Sequence, residues 1–159
     1  MSDPKRDLLR HAVATVAYRG GKALRGAPDH FATYRSSESS RSPVEILAHV
    51  GVLFDWALSL ARGAQQWRES APLAWPGEVA RFFDALGKFD AYLESDAPLG
   101  TSAEQLLQGP VADALTHIGQ LTMLRRLAGA PVRGENYFTA DIVAGRTGPE
   151  QTAPQREFG

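Results

Sequence analysis

The chain has 159 residues, and its 17 Lys and Arg side chains almost balance its 18 Asp and Glu side chains. This balance argues against a nucleic acid or an anionic membrane as the main partner. Because the chain contains no cysteine, disulfides, thiolate metal sites and a cysteine nucleophile are excluded, and any metal must be bound by His, Asp or Glu.

The N-terminal sequence and the hydropathy pattern favour a protein of the cytoplasm. The opening MSDPKRDLL lacks the apolar core of a signal peptide. No stretch approaches the roughly 20 apolar residues that span a bilayer, so we expect no membrane-spanning segment. A chain of this length is typical of a single domain with its own core.

Two helices are predicted in the first part of the chain. The first follows Asp3-Pro4, since Asp caps helix N-termini and proline suits the first helical position. Residues 26–42 are rich in turn formers and too polar for a core, so they predict a long connection. The second helix opens with a capping box from Ser42 to Glu45 and runs to about residue 61 or 67.

Two further helices are predicted in the second part. The third follows Trp75-Pro76 and carries apolar residues at the i, i+3, i+4, i+7 spacing of an amphipathic helix. The fourth starts near Thr101 and continues to Leu127, with Gly109-Pro110 predicting a kink or a break. Beyond it the chain is rich in Gly, Pro and Gln, apart from a short predicted helix near 139–143.

These elements predict an all-α protein with little sign of strands. Four helices in about 130 residues, without apolar β-branched runs between them, are typical of a four-helix bundle. We therefore expect a bundle at residues 1–130 and an irregular C-terminal tail at 131–159 that packs on the bundle or on a dimer partner.

Two of the four histidines fall on strips expected to face inward. His49 lies among large apolar residues of the second helix, and His117 follows Asp113 by one turn of the fourth helix on a strip otherwise made of Leu, Pro and Ala. Burying such polar groups without a partner costs about 2–7 kcal/mol. His49, Asp113 and His117 are therefore candidate ligands, since two imidazoles and a carboxylate with open positions suit Zn, Ni, Mn or non-haem Fe.

The same residues allow a metal-free interpretation, which spacing alone slightly favours. Asp113 and His117 then satisfy each other, and His49 bonds elsewhere, in a helical binding or dimerisation module. Glu45 lies one turn before His49 and is a weaker ligand candidate, because the capping box already explains it. A third interpretation is a small-molecule sensor whose bundle mouth is capped by the tail.

Two blocks of the sequence resemble the DinB/YfiT-like superfamily of metalloenzymes. Residues 42–49 (SPVEILAH), with FDW at 54–56, resemble its second-helix motif, and residues 113–121 (DALTHIGQL), with LRRLAG at 124–129, resemble its fourth-helix motif. The resemblance covers about residues 1–130 and is looser in the first and third helices. It implies a four-helix bundle with up-down-down-up topology, a homodimer and a divalent metal held by three histidines.

The chain departs from the superfamily pattern at one ligand. The last helix of the family carries His-x3-His, and here the first of that pair is Asp113. The resemblance carries His49 and His117 over as ligands, and Asp113 only as a substitute. Glu45 and Gln120 are candidates to hydrogen bond to these ligands. The donor set favours zinc or nickel, with manganese or iron as second choices. A metal that activates a bound water or thiol would support hydrolase or thiol-dependent transferase chemistry on a small molecule, and the resemblance implies the thiol-dependent class.

Overall fold

The computed structural model describes residues 3–159 and shows a mostly helical chain. The helices are α1 (Pro4–Leu24), α2 (Pro43–Ala61), α3 (Trp75–Glu94), α4 (Ala103–Leu106) and α5 (Ala112–Leu127). The strands described are β1 (Gly134–Glu135) and β2 (Glu157–Phe158), which pair antiparallel in the tail. The expected all-α class is confirmed.

The helices begin at the predicted signals. The Asp3 side chain accepts a hydrogen bond from the Lys5 backbone N–H at 3.0 Å. At the start of α2, the Ser42 backbone N–H donates to Oε2 of Glu45 at 2.7 Å, as a capping box requires. The N-terminal half of α2, which carries His49, therefore has a fixed starting point. The helix ends at Ala61, the earlier of the two predicted limits.

The predicted interruption at Gly109-Pro110 is a π-helical turn. Leu107–Val111 forms this turn, with Pro110 inside it and α5 following directly at Ala112. Proline has no N–H to donate to the preceding turn, and a local π bulge accommodates that loss without ending the helix. The turn therefore sets the rotation at which α5 presents its first residues.

One core joins the long helices. α2 packs against α3 and α5, and α1 packs against the same two helices. The largest fully buried side chains are Tyr18, Phe31, Phe54, Phe82 and Phe89. Gly20 shows how close the packing is, because a Cβ at this position would lie 2.5 Å from Cζ of Phe82. This close approach explains why α1 carries a glycine at this position.

Helix α2 corrects the expectation that no stretch is apolar enough to span a membrane. Its 19 residues are long and apolar enough by length and composition, with a mean hydropathy of 1.6. However, 61% of the apolar window is buried within the protein. A helix that packs on two neighbours, as α2 does on α3 and α5, is apolar around most of its circumference, and this accounts for the composition of α2.

The tail lies against α1 through a buried polar cluster. Lys22 Nζ donates to Oε1 of Glu135 at 2.6 Å and to Oε2 of Glu157 at 2.9 Å, and the Tyr18 hydroxyl donates to Glu135. We call these four residues the tail clamp. The Glu135 side chain is fully buried, so the clamp joins the two strands to α1 through the interior.

The helix predicted near 139–143 is wrong. The structure has a single 3-10 turn at Tyr137–Thr139, opened by Asn136, whose side chain accepts from the Phe138 N–H at 3.1 Å. Ala140 then takes an extended conformation with ψ of 142°. A segment this short forms too few helical hydrogen bonds to offset the cost of nucleation.

Candidate metal centre

Helices α2 and α5 bring the three candidate ligands together. His49 lies on α2, and Asp113 and His117 lie one turn apart on α5, which packs against α2. One ligand atom from each residue lies within 4.8 Å of the others. The sequence placed these residues on facing strips of separate helices, and the structure joins them in one cluster that could hold a metal ion.

The carboxylate faces both imidazoles without bonding to either. Oδ2 of Asp113 lies 3.7 Å from Nε2 of His49, and Oδ1 lies 3.8 Å from Nδ1 of His117. The two imidazole rings are stacked, with centroids 4.6 Å apart. Hydrogen bonds of this kind have donor–acceptor distances of about 2.7–3.2 Å. The self-satisfied Asp113–His117 pair of the metal-free interpretation is therefore not formed.

Burial differs between the ligands. The side chains of His49 and His117 are 18% and 14% exposed, whereas that of Asp113 is 45% exposed. The sequence strip placed Asp113 inside with His117, and the structure corrects this to a boundary position. The carboxylate is therefore hydrated on its outer side, and only the histidines have lost most of their contact with water.

The unpaired nitrogen of His117 is the least satisfied polar atom of the cluster. Nδ1 of His117 is buried and has no hydrogen-bond partner among residues 3–159. Leaving such an atom unpaired costs about 1–3 kcal/mol. Burial lowers the pKa of His117 below its usual value, His49 and Arg41 act in the same direction, and Asp113 opposes them. The imidazole is therefore neutral at pH 7, which is the form that binds metals.

The donor set fits a divalent cation. Nitrogen and oxygen donors bound about 2.0–2.2 Å from a metal lie roughly 3–4 Å from one another. Both Asp113–histidine separations lie within that range. Three protein donors leave further coordination positions open, as in catalytic rather than structural sites.

Glu45 and Gln120, which were expected to hydrogen bond to the ligands, contact other groups. Glu45 accepts from Ser42 and from Nη2 of Arg35 at 3.1 Å, and no hydrogen bond joins it to His49. The hydrogen bonds from the Ser42 backbone and side chain, then the one from Arg35, hold the pKa of Glu45 below its usual value. Gln120 is exposed and lines a groove beside His117.

Two grooves flank the cluster. The smaller has a volume of about 220 Å³ and is lined by His49 and Glu69. The larger has a volume of about 500 Å³ and runs past His117 along Met123 and Leu127 of α5. Arg41 lines both grooves, so the cluster lies between them with a cation at their junction.

Sequence reasoning missed two residues at the site. Arg41 belongs to the polar connection before α2, and Trp67 belongs to the connection after it. Trp67 is 44% exposed and meets the His49 ring edge to face at 5.8 Å. Neither connection has a periodic pattern, so the sequence does not indicate that both pass beside the histidines.

Comparison with models of known protein families, with curated proteins and with solved structures finds no match for this chain. The function is therefore inferred from the geometry and chemistry of the site.

Proposed function

We propose that this chain binds one divalent metal ion through His49, Asp113 and His117 and uses it in DinB-like chemistry on a small molecule. The observation that carries the proposal is the buried and unpaired Nδ1 of His117, placed beside a carboxylate and a second imidazole. A metal ion would give this nitrogen the partner that the protein lacks.

A DinB-like up-down-down-up bundle is part of this proposal, and three hydrogen bonds support it. They are Arg10 to Asp90, Arg81 to Ala48, and Arg125 to Ala23. The first joins the start of α1 to the end of α3, the second joins the starts of α2 and α3, and the third joins the ends of α1 and α5. These pairs of ends make α3 antiparallel to α1, α2 parallel to α3, and α5 parallel to α1. If α1 runs up, α2 and α3 therefore run down and α5 runs up.

The chemistry proposed is hydrolysis or thiol-dependent group transfer. A bound divalent cation would act as a Lewis acid and lower the pKa of a bound water or thiol. The protein's own contribution is to hold His117 neutral by burial, to supply one negative charge from Asp113 and to cover His49 with Trp67. We propose a homodimer, as the sequence resemblance implies, and the cytoplasm as its location.

Zinc or nickel is the proposed metal, with manganese or iron as second choices. Two imidazoles with one carboxylate form a borderline donor set, which suits zinc and nickel better than the oxygen-rich sites of magnesium or calcium. The half-exposed carboxylate leaves room for the added ligands that nickel, manganese or iron require.

Metal analysis of untagged protein tests the proposal. We expect about one equivalent of zinc or nickel in the wild type and a loss of most of it in His49→Ala and in His117→Ala. His11→Ala is the matched control, because His11 is exposed and lies outside the cluster. Equal metal content in all four proteins, or none in the wild type after incubation with zinc, would contradict the proposal.

A further inference from the structure

Arg41 is an unpaired cation at the edge of the candidate metal centre. It makes no hydrogen bond or ion pair with any residue in the range 3–159, although Glu45 and Glu69 line the same smaller groove. The carboxylate of Glu45 is used by Ser42 and Arg35 instead. The positive charge of Arg41 is therefore available to a ligand.

The position of Arg41 is unfavourable for the fold. Arg41 directly precedes Ser42, the N-cap of α2, and a helix N-terminus carries a partial positive charge that repels cations. Its neighbour Arg35 avoids a similar penalty by pairing with Glu45 at 3.1 Å. Local stability therefore gives no reason for an unpaired arginine at this position.

The larger groove next to Arg41 is mainly apolar. Ile46 and Leu124 form its buried part, and the half-exposed side chains of Met123 and Leu127 extend it along α5. The volume of about 500 Å³ lies within the usual range for small-molecule sites, roughly 300–1,000 Å³. An apolar body can therefore lie in this groove while its end reaches His117.

The net charge of the site also favours an anionic ligand. If the metal is bound as proposed, its two positive charges exceed the single negative charge of Asp113, and Arg41 adds one more. The site then has an excess positive charge at the head of an apolar groove. A ligand with a negative head and an apolar body is complementary to both features.

We propose that the site takes a free organic monoanion, a carboxylate with an apolar chain, whose head is held by Arg41 and whose chain lies along Met123, Leu124 and Leu127. This inference rests on the proposed metal function, because it places the carboxylate end beside the metal cluster. Ser36, Ser40 and Gln120 line the same groove and add no charge to it.

Octanoate, below its micelle concentration, is the probe. We expect zinc-loaded protein to bind octanoate more tightly than octanol or octyltrimethylammonium, measured by calorimetry. Arg41→Gln weakens octanoate binding at least about tenfold, since it removes a charge-assisted hydrogen bond. Arg126→Gln is the matched control, because this exposed arginine adjoins Leu127 but does not line the groove, and its loss changes net charge equally.

A second pair of variants tests the groove. Leu127→Asp places a negative charge in the path of the chain and abolishes octanoate binding, whereas Phe138→Asp, at a 95% exposed position outside the groove, leaves it unchanged. Both residues are exposed, so both variants are expected to fold. Zinc content is measured in every variant.

The outcomes separate the two proposals. Normal zinc content with no preference of the wild type for octanoate over octanol overturns this inference and leaves the metal proposal standing. Octanoate binding that depends on Arg41 in protein unable to bind zinc supports the anion site and contradicts the metal proposal. Equal weakening in Arg41→Gln and Arg126→Gln, or binding of phosphatidylglycerol vesicles without binding of monomeric octanoate, overturns the inference.

Discussion

The tail clamp and the candidate metal centre both bury polar groups, but they satisfy them differently. In the clamp, Glu135 accepts from both Lys22 and Tyr18, and Lys22 has a second carboxylate in Glu157. In the candidate metal centre, Nδ1 of His117 has no partner in the described chain. Paired buried charges maintain a fold, whereas an unpaired buried donor or acceptor beside other ligands indicates a site that binds something.

Breaking the clamp should produce the largest effect. Glu135→Ala leaves Lys22 buried with only the partly exposed Glu157, and removal of one member of a buried pair costs about 3–5 kcal/mol. Burial alone lowers the pKa of Lys22, but its hydrogen bonds to Glu135 and Glu157 raise it above its usual value. Urea unfolding measures the loss.

The control for the clamp is the double variant Lys22→Met, Glu135→Leu. Replacing both charges by apolar groups removes the uncompensated charge, so most of the stability should return. Metal content should stay at the wild-type level in both proteins. If the double variant loses as much stability as Glu135→Ala, the effect of Glu135→Ala does not come from an unpaired buried charge on Lys22.

Metal removal should give the next largest effect. A ligand at 100 times its dissociation constant stabilises the folded state by about 2.7 kcal/mol, so EDTA should lower the melting temperature by several degrees. Differential scanning calorimetry of wild type with and without chelator measures the shift. His117→Ala should show no chelator effect. A melting temperature indifferent to EDTA in the wild type would favour the metal-free module.

Replacing His117 in metal-free protein should have a smaller effect of opposite sign. His117→Leu removes an unpaired buried nitrogen and fills the same space with apolar atoms, so stability should rise by up to about 1 kcal/mol. The comparison is made by urea unfolding in the presence of chelator. A clear loss of stability would mean that His117 has a structural partner and stabilises the fold, as the residues of the tail clamp do.

Acid should cause a small loss of stability through Glu157 of the tail clamp. The hydrogen bond from Lys22 holds the pKa of Glu157 below its usual value. A lowered pKa stabilises the fold above the ordinary pKa of the carboxyl group, about 4.3, and this stability is lost as the pH falls through the folded-state value. Glu157→Gln should flatten this part of the stability profile between pH 6 and 3. An unchanged profile would mean that the ion pair between Glu157 and Lys22 does not contribute to stability.

Local signals in the sequence predicted the helices well. Caps act within three or four residues, so Asp3 and the Ser42–Glu45 box located the starts of α1 and α2. The one-turn spacing of Asp113 and His117 likewise predicted that they share a face. These predictions depend on neighbours in sequence, which is why they could be made from the sequence alone.

Contacts between distant segments could not be predicted in the same way. The clamp joins Lys22 to Glu135, which lies 113 residues later in the chain. Neither residue belongs to a sequence pattern from which the other could be predicted as its partner. Asp113 is 45% exposed and lies two residues after the π turn, where the regular spacing of an α-helix no longer predicts which side chains face inward. Arg41 and Trp67 come from polar connections whose path over the site is set by tertiary packing.

We propose above all that His49, Asp113 and His117 form one metal centre. An anomalous difference map from a crystal of zinc-loaded protein, collected at the zinc edge, tests it most directly. We expect a single strong peak about 2.0–2.2 Å from Nδ1 of His117, a ring nitrogen of His49 and a carboxylate oxygen of Asp113. No peak at this cluster, or zinc bound only elsewhere, would contradict the account.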